Sequence, residues 1–272
     1  MTVTAGRLDE EQIVHFKSDG VLIVRQVLDP DLLARARARL WDAAPESLRR
    51  DDPSSWVGPI RSEEEDEERG NYRKGFRWQY RTLGSLSWMV DLLPKNRAVW
   101  AMAQQLLGEG EVVEPESVRG IYCTLPYGDH EGGPDRCHVD AHPFHLGVVA
   151  YIDDVEPEGG GFRVWAGSHR TFYPGFESAY RMEPTPRYEP DRERLSRATS
   201  IDCYGRAGDV VFWHHRLGHM AAHNRTRRIR QAVLYDYRKK DLERTQLEPP
   251  ADDMWKDWSL AVRRAPIEGA VP

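Results

Sequence analysis

The chain has 272 residues, long enough to bury about 75% of the surface its unfolded form exposes, without disulfide or metal staples. Its balance of 40% hydrophobic and 30% charged residues is that of a soluble globular protein, and a net charge of −6 offers no overall basic field to nucleic acid or an anionic membrane. The three cysteines, Cys123, Cys137 and Cys203, lack CxxC spacing, which argues against a cysteine-rich zinc site and fits free thiols in a reducing cytoplasm.

The opening MTVTAGRLDEEQ has no basic region followed by an apolar core, so no secretion signal is expected. No apolar run approaches the roughly 20 residues that span a bilayer. Asp9, with Gln12 three residues on, makes a capping-box pattern that predicts a helix presenting Ile13, Val14 and Phe16 and stopping at Ser18-Asp19-Gly20. Val21 to Val24 reads as a short strand. Asp29-Pro30 opens a second helix, the proline standing where its missing N–H costs nothing, with Leu32, Leu33, Ala36, Leu40 and Trp41 at helical spacing.

Residues 45–75, with Pro45, Pro53, Pro59 and an acidic run from Glu63 to Glu68, read as a solvated surface loop; the alternative is a lid over a site. Another helix follows Asn96, with Val99, Trp100, Ala103, Leu106 and Leu107 on one face and Gly108 at its end. From about Val112 short apolar runs alternate with Gly, Pro and Asp. The predicted strands are Val118–Leu125, Leu146–Asp153, Phe162–Trp165, Asp209–Trp213 and Gln231–Tyr237, and the polar stretch from Arg170 to Arg206 reads as an insertion. Short strands separated by turns suggest a β-sandwich or barrel.

The stretch HVDAHPFH, residues 138–145, holds three histidines and an aspartate. In an extended chain residues i and i+2 point to the same side, about 6.6 Å apart, so His138 and Asp140 can converge on one ion. A third ligand must come from elsewhere, and GDVVFWHHRLGHMAAHN, residues 208–224, offers His214, His215, His219 and His223. One carboxylate and two imidazoles on one side of an ion suit Fe(II) with open positions for a co-substrate and O2. The same set also serves zinc hydrolases, and histidines satisfied within a β core are the plainest alternative.

Four segments, in order, make the chain resemble the phytanoyl-CoA dioxygenase-like family of Fe(II)/2-oxoglutarate-dependent oxygenases. They are HFKSDGVLIVRQVLDPDLL (15–33), His138-Val139-Asp140, GGFRVWAGSHR (160–170) and GDVVFWHHRLGHMAAHNRTRRIRQAVLYDY (208–237). Residues 45–110 and 171–205 match poorly. The resemblance implies a double-stranded β-helix, a cupin-type jelly roll, flanked by N-terminal helices. It implies one dioxygenase domain over 1–272: a mainly helical flank with the acidic loop at 1–110, the jelly-roll core at 111–240 and a C-terminal tail at 241–272.

The resemblance also selects His219 as the third metal ligand and Arg230, eleven residues on, for the far carboxylate of 2-oxoglutarate, where a planar guanidinium donates two parallel hydrogen bonds. Arg225, Arg227 and Arg228 read as a solvated turn. The chain departs from the family at Ala221, where Ser or Thr is usual, at Val149, where Trp is common, and at Ala166, in place of a turn proline. Thr124 or Tyr122 can supply the hydrogen bond lost at Ala221. His142, two beyond Asp140, and Arg77 and Trp78, within YRKGFRWQYR (72–81), are the candidate substrate contacts. His145, His169, His214, His215 and His223 read as structural or surface residues.

The implied cofactors are Fe(II), 2-oxoglutarate and O2, and the implied reaction hydroxylates an aliphatic C–H bond of a small-molecule metabolite, as in natural-product tailoring, releasing succinate and CO2; desaturation, epoxidation and ring formation stay open, because substrate placement decides the outcome. No side-chain acid or base is needed. Asp140 argues against halogenation, which needs a small residue there. A zinc hydrolase, which does not require Arg230, and a non-catalytic jelly-roll binding protein, in which metal is structural or absent, are the rivals. No nucleic-acid or membrane partner is expected, and the cytoplasm is the expected location.

Overall fold

The computed structural model describes residues 6–267. The N-terminal elements follow from their caps. Helix α1 (Glu10–Asp19) begins at Asp9, whose carboxylate accepts from the Gln12 N–H while the Gln12 side chain accepts from the Asp9 N–H, and it ends at Gly20 in the left-handed conformation. Strand β1 (Val21–Val24) leads to α2 (Pro30–Leu40), capped by Asp29 with proline at its first position. Helices α3 (Ser87–Leu92) and α4 (Arg97–Leu107) follow, the latter capped by the Asn96 side chain and closed at Gly108.

Among the described residues ten strands form two sheets. Besides β1 they are β2 (Asn71–Lys74), β3 (Arg77–Tyr80), β4 (Ile121–Thr124), β5 (Leu146–Tyr151), β6 (Phe162–Val164), β7 (Ile201–Cys203), β8 (Val210–His214), β9 (His219–Ala221) and β10 (Arg230–Tyr237). The large sheet has the order β1-β8-β5-β10-β4-β3-β2 and the small one β7-β6-β9, with every pairing antiparallel. This is the jelly roll that the resemblance implied.

Because side chains alternate across a strand, each face of the large sheet has its own core. Val149, Tyr151, Val211, Trp213 and Ala232 face the small sheet and pack with Phe162, Val164 and Cys203. Their neighbours Val148, Ala150, Val210, Phe212 and Val233 face outward, onto Phe16, Leu33, Leu40, Met102 and Leu106 from the helices. The Tyr151 hydroxyl stitches the two sheets, accepting from the Phe162 N–H at 2.9 Å and donating to the Cys203 carbonyl. Gly147 lies under Trp213 so closely that a Cβ there would stand 2.1 Å from the indole.

Several segments differ from their sequence reading. The hairpin β2–β3 falls where no strand was predicted, because its residues are polar and only Trp78 is fully buried. The acidic stretch is held down rather than solvated throughout: Trp56 packs on Trp41, Ile60 is buried, and the Glu64 and Glu65 carboxylates accept from the N–H groups of Ser47 and Gly75. The stretch 170–206 carries α6 (Tyr188–Ser196) and strand β7, after a short α5 (Ser168–Phe172). Beyond α7 (Leu242–Thr245), Trp255 and Trp258 enter the core against Phe16 and His214, and α8 (Leu260–Arg264) buries Val262.

Candidate metal centre

The two remote segments singled out in the sequence meet edge to edge. The His138 N–H donates to the His219 carbonyl at 3.2 Å and the His219 N–H to the His138 carbonyl at 2.9 Å, an isolated antiparallel bridge. The approach depends on Gly218, where a Cβ would stand 2.4 Å from Cys137 Sγ and 2.8 Å from the Phe172 ring. Glycine is needed there for close contact and not for a bend, because its φ lies outside the left-handed region. The bridge sets the two imidazoles 4.7 Å apart, and Asp140 closes the set: His138, Asp140 and His219 each offer a ligand atom within 4.8 Å of the others.

The histidines are oriented for this. Nδ1 of His219 lies 2.9 Å from the Leu217 carbonyl and Nδ1 of His138 lies 3.3 Å from that of Arg136. A carbonyl can only accept, so Nδ1 carries the proton in each ring and Nε2 keeps the lone pair that a metal requires. Burial, with His219 adjacent, pulls the His138 pKa down to about 4, although the ring keeps an accessible edge. Burial alone would raise Asp140, but His219, with Nε2 at 3.8 Å, and the Arg119 guanidinium, at 3.9 Å, outweigh it and hold the carboxyl well below the usual range. A neutral His138 imidazole and an ionised Asp140 carboxylate therefore coexist at neutral pH. Phe162 stacks on His219 at 5.0 Å, and Trp213 flanks it at 5.8 Å.

Arg230 starts β10 opposite Thr124, and Thr124 in turn pairs with Arg77, so the three stand abreast on the inner face. The guanidinium is buried. Nε donates to the Gly160 carbonyl at 3.0 Å and Nη1 to the Tyr122 carbonyl at 3.2 Å, and no carboxylate lies within ion-pair distance among the described residues. Burial lowers its pKa. A charge this deep without a counter-ion among the described residues is costly to bury.

Of the remaining candidates, Thr124, Arg77, Ala221 and His223 line a cavity of about 410 Å³ with His138. Tyr122 lies on the other side, its ring beneath Arg81 and Arg119. His142 comes to the site through Asp236, with Nε2 2.8 Å from its carboxylate, and these two with Asp140 form a second close group. Trp78 does not reach the site. One residue along from Arg77, it faces the opposite side of the sheet, is fully buried among the helix-side core and donates to Asn71.

His145, His169, His214 and His215 are fully or almost fully buried in a separate aromatic cluster with Tyr180 and Trp255. Among the described residues, neither group of three close ligand atoms includes them or His223. Arg119 and Asp236 were missed in the sequence. Asp236 carried a signal, since it lies an even number of residues from Arg230 on one strand and so shares its face; Arg119, in a loop before β4, carried none.

The phytanoyl-CoA dioxygenase (PhyH) family model matches residues 16–232. The chain belongs to that family, and so to the Fe(II)/2-oxoglutarate-dependent enzymes that use O2. No protein of curated function matches it in sequence. Among solved structures it is similar to SnoK, a non-heme alpha-ketoglutarate-dependent carbocyclase from nogalamycin biosynthesis, at 19% identity and a TM-score of 0.55 over 93% of this chain and 98% of that one. It is also similar to the epimerase SnoN, in complex with Fe3+, alpha-ketoglutarate and nogalamycin RO, at 20% identity and 0.53 over 84% and 82%. A third is HygX from Streptomyces hygroscopicus, with nickel, 2-oxoglutarate and hygromycin B bound, at 17% identity and 0.53 over 86% and 88%. At these identities the likeness is one of fold. No helix among the described residues is long and apolar enough to cross a membrane.

Proposed function

We propose that the protein hydroxylates an aliphatic C–H bond of a small-molecule metabolite, with His138, Asp140 and His219 holding Fe(II) and Arg230 holding the far carboxylate of 2-oxoglutarate. The observation that carries this reading is the buried Arg230 guanidinium without an acidic partner among the described residues, on the same inner face as Thr124. A zinc hydrolase using the same three ligands has no use for such a charge. The solved neighbours from nogalamycin biosynthesis and with hygromycin B bound favour a natural product or similar metabolite as substrate.

The donor set fits Fe(II): imidazole and carboxylate ligands on one side leave the opposite side open. Iron so held supplies, with 2-oxoglutarate and O2, the oxidation that turns R–H into R–OH and releases succinate and CO2. The chain's own residues bind and orient. The Leu217 and Arg136 carbonyls fix the two imidazole tautomers, and Arg119 keeps Asp140 ionised. Phe162 and Trp213 shield the back of His219 from water. Thr124, beside Arg230, is placed to donate to the carboxylate that Ala221 cannot reach. No side chain has to move a proton for the C–H step.

The test is succinate release from 2-oxoglutarate with Fe(II) and a metabolite panel, followed by mass analysis for a product that has gained one oxygen. Iron- and O2-dependent succinate with such a product is expected. Turnover that persists anaerobically with zinc would overturn the proposal.

A further inference from the structure

A second cavity, of about 910 Å³, opens on the Asp140 side of the centre. Four arginines line it: Arg69, Arg81, Arg119 and Arg238. In a chain whose net charge is −6, so concentrated a patch of positive charge calls for a reason. Asp236, the acid in the wall, is already engaged by Arg119 at 3.4 Å and by His142 at 2.8 Å. Among the described residues no carboxylate lies within ion-pair distance of Arg69, Arg81 or Arg238. Arg81 has a neutral partner in Gln79, and its buried Nε has no hydrogen-bond partner among the described residues.

The backbone is built to hold two of these charges together. Gly120 has φ +99, and a Cβ there would stand 2.5 Å from the Arg81 Cα; at Gly84 a Cβ would stand 2.1 Å from the Val118 carbonyl oxygen. These two glycines let the segment after β3 lie against the one before β4, so that the Arg81 and Arg119 guanidinium carbons each come within 5.4 Å of the Tyr122 ring centre. Two like charges on one ring repel; Arg119 is offset by Asp236 at 3.4 Å and Asp140 at 3.9 Å, so Arg81, with no carboxylate within ion-pair distance among the described residues, is the charge left for an incoming anion to meet. Tyr122 and Tyr235 add flat apolar surface beside them. Arg119 also stands 3.9 Å from Asp140, so whatever the arginines grip lies next to the metal.

We infer that the substrate is an oxyanion-bearing small molecule, with a carboxylate, phosphate or sulfate group gripped by Arg81 and Arg119 and a planar portion against Tyr122. This rests on the reading of the centre as an oxygenase. Arg69 and Arg238, exposed at the rim, draw the anion in. The selectivity is for charge at one end of the substrate, with the reacting carbon on the Asp140 side.

The probes are phenyl phosphate, phenyl sulfate and benzoate, with benzyl alcohol as the uncharged control. Each is titrated calorimetrically into the full chain with Mn(II) and saturating 2-oxoglutarate, so that Arg230 is already occupied. The charged probes are expected to bind, more weakly as salt rises, and the alcohol is not. R81Q should weaken the best probe by about 10-fold or more, as loss of a charge-assisted hydrogen bond does, and R81K should recover part of that. R69Q/R238Q, altering only exposed side chains, gives a second reading if R81Q fails to fold, with a loss of about 3-fold or more from weaker surface attraction. Equal binding of charged and neutral probes, or unchanged binding by R81Q or, should that not fold, by R69Q/R238Q, would overturn the inference. Formation of the 2-oxoglutarate chelate is read separately from its visible absorption with Fe(II). Anion binding without a chelate would sink the oxygenase reading and leave the anion site standing; a chelate without anion binding would do the reverse.

Discussion

Replacing Arg230 by lysine is the sharpest single perturbation of the co-substrate site. Of the five N–H donors of a guanidinium, one goes to Gly160 and one to Tyr122, which leaves three, 5 − 2, for a ligand. Lysine keeps the positive charge but presents it as a point and not as a fork. It loses one of the two parallel bonds to the 2-oxoglutarate carboxylate, about 1.5–3 kcal/mol for a charge-assisted bond, so the co-substrate should bind about 10- to 150-fold more weakly. The Gly160 carbonyl also loses its donor, at a cost of about 1–3 kcal/mol of stability. Anaerobic titration of the Fe(II)-loaded variant with 2-oxoglutarate, read by the chelate's absorption, gives the first quantity, and thermal unfolding gives the second. Wild-type affinity for 2-oxoglutarate in a folded R230K variant would refute the reasoning, because the buried charge would then serve the fold alone.

Acid should destabilise the metal-free protein well before its carboxylates titrate. Burial, helped by Lys239 at His145 and Arg170 at His169, pulls these two pKa values down to about 3 from the ordinary 6.5. The unfolded chain therefore binds protons that the folded chain refuses, so stability is full above pH 7 and falls as pH drops from 6.5 towards 3. At pH 5 the loss is about 2 kcal/mol per histidine, about 4 kcal/mol for the pair, and His214 and His215, also lowered, add in the same direction. Urea midpoints at pH 7.5 and 5 should show the drop, and equal midpoints would exclude it. Gly147→Ala should cost at least about 2 kcal/mol, because the methyl group has no room beside Trp213. It should also disturb the His219 environment, visible as weaker Mn(II) binding alongside a lower melting temperature. Asp140→Asn keeps the shape but removes the charge, and it should weaken Fe(II) binding more than it changes stability, as metal titration and thermal unfolding in parallel would establish.

Much of the fold was legible because local rules agreed with the global outcome. Asp9 with Gln12, Asp29-Pro30 and Asn96 each mark a helix start that forms where the cap chemistry puts it. The apolar strands of the large sheet are long enough for their runs to stand out. Strands β2 and β3 were illegible because they are polar, and β4, the partner that ties β3 into the sheet, lies about forty residues away. That also explains the error at Trp78: without knowing that Arg77 pairs with Thr124, nothing tells which of two neighbours faces inward. The candidate ligand set was legible only in part. The i, i+2 spacing paired His138 with Asp140, but the choice of His219 over three nearby histidines rested on family resemblance. In the structure it rests on the backbone bridge to His138 and on the burial of His214 and His215 elsewhere. Of the arginine-lined cavity only Arg81 lies in a segment, 72–81, that the sequence marked as a substrate contact, since Arg69, Arg81, Arg119 and Arg238 come from four separate loops and strand ends.

The central claim is tested most directly by a crystal of the full chain grown anaerobically with Fe(II) and 2-oxoglutarate, with the iron located by its anomalous scattering. The account predicts one iron bound by Nε2 of His138, a carboxylate oxygen of Asp140 and Nε2 of His219, with the far carboxylate of 2-oxoglutarate against Arg230. Iron held by any other set of side chains, or 2-oxoglutarate bound away from Arg230, would contradict it.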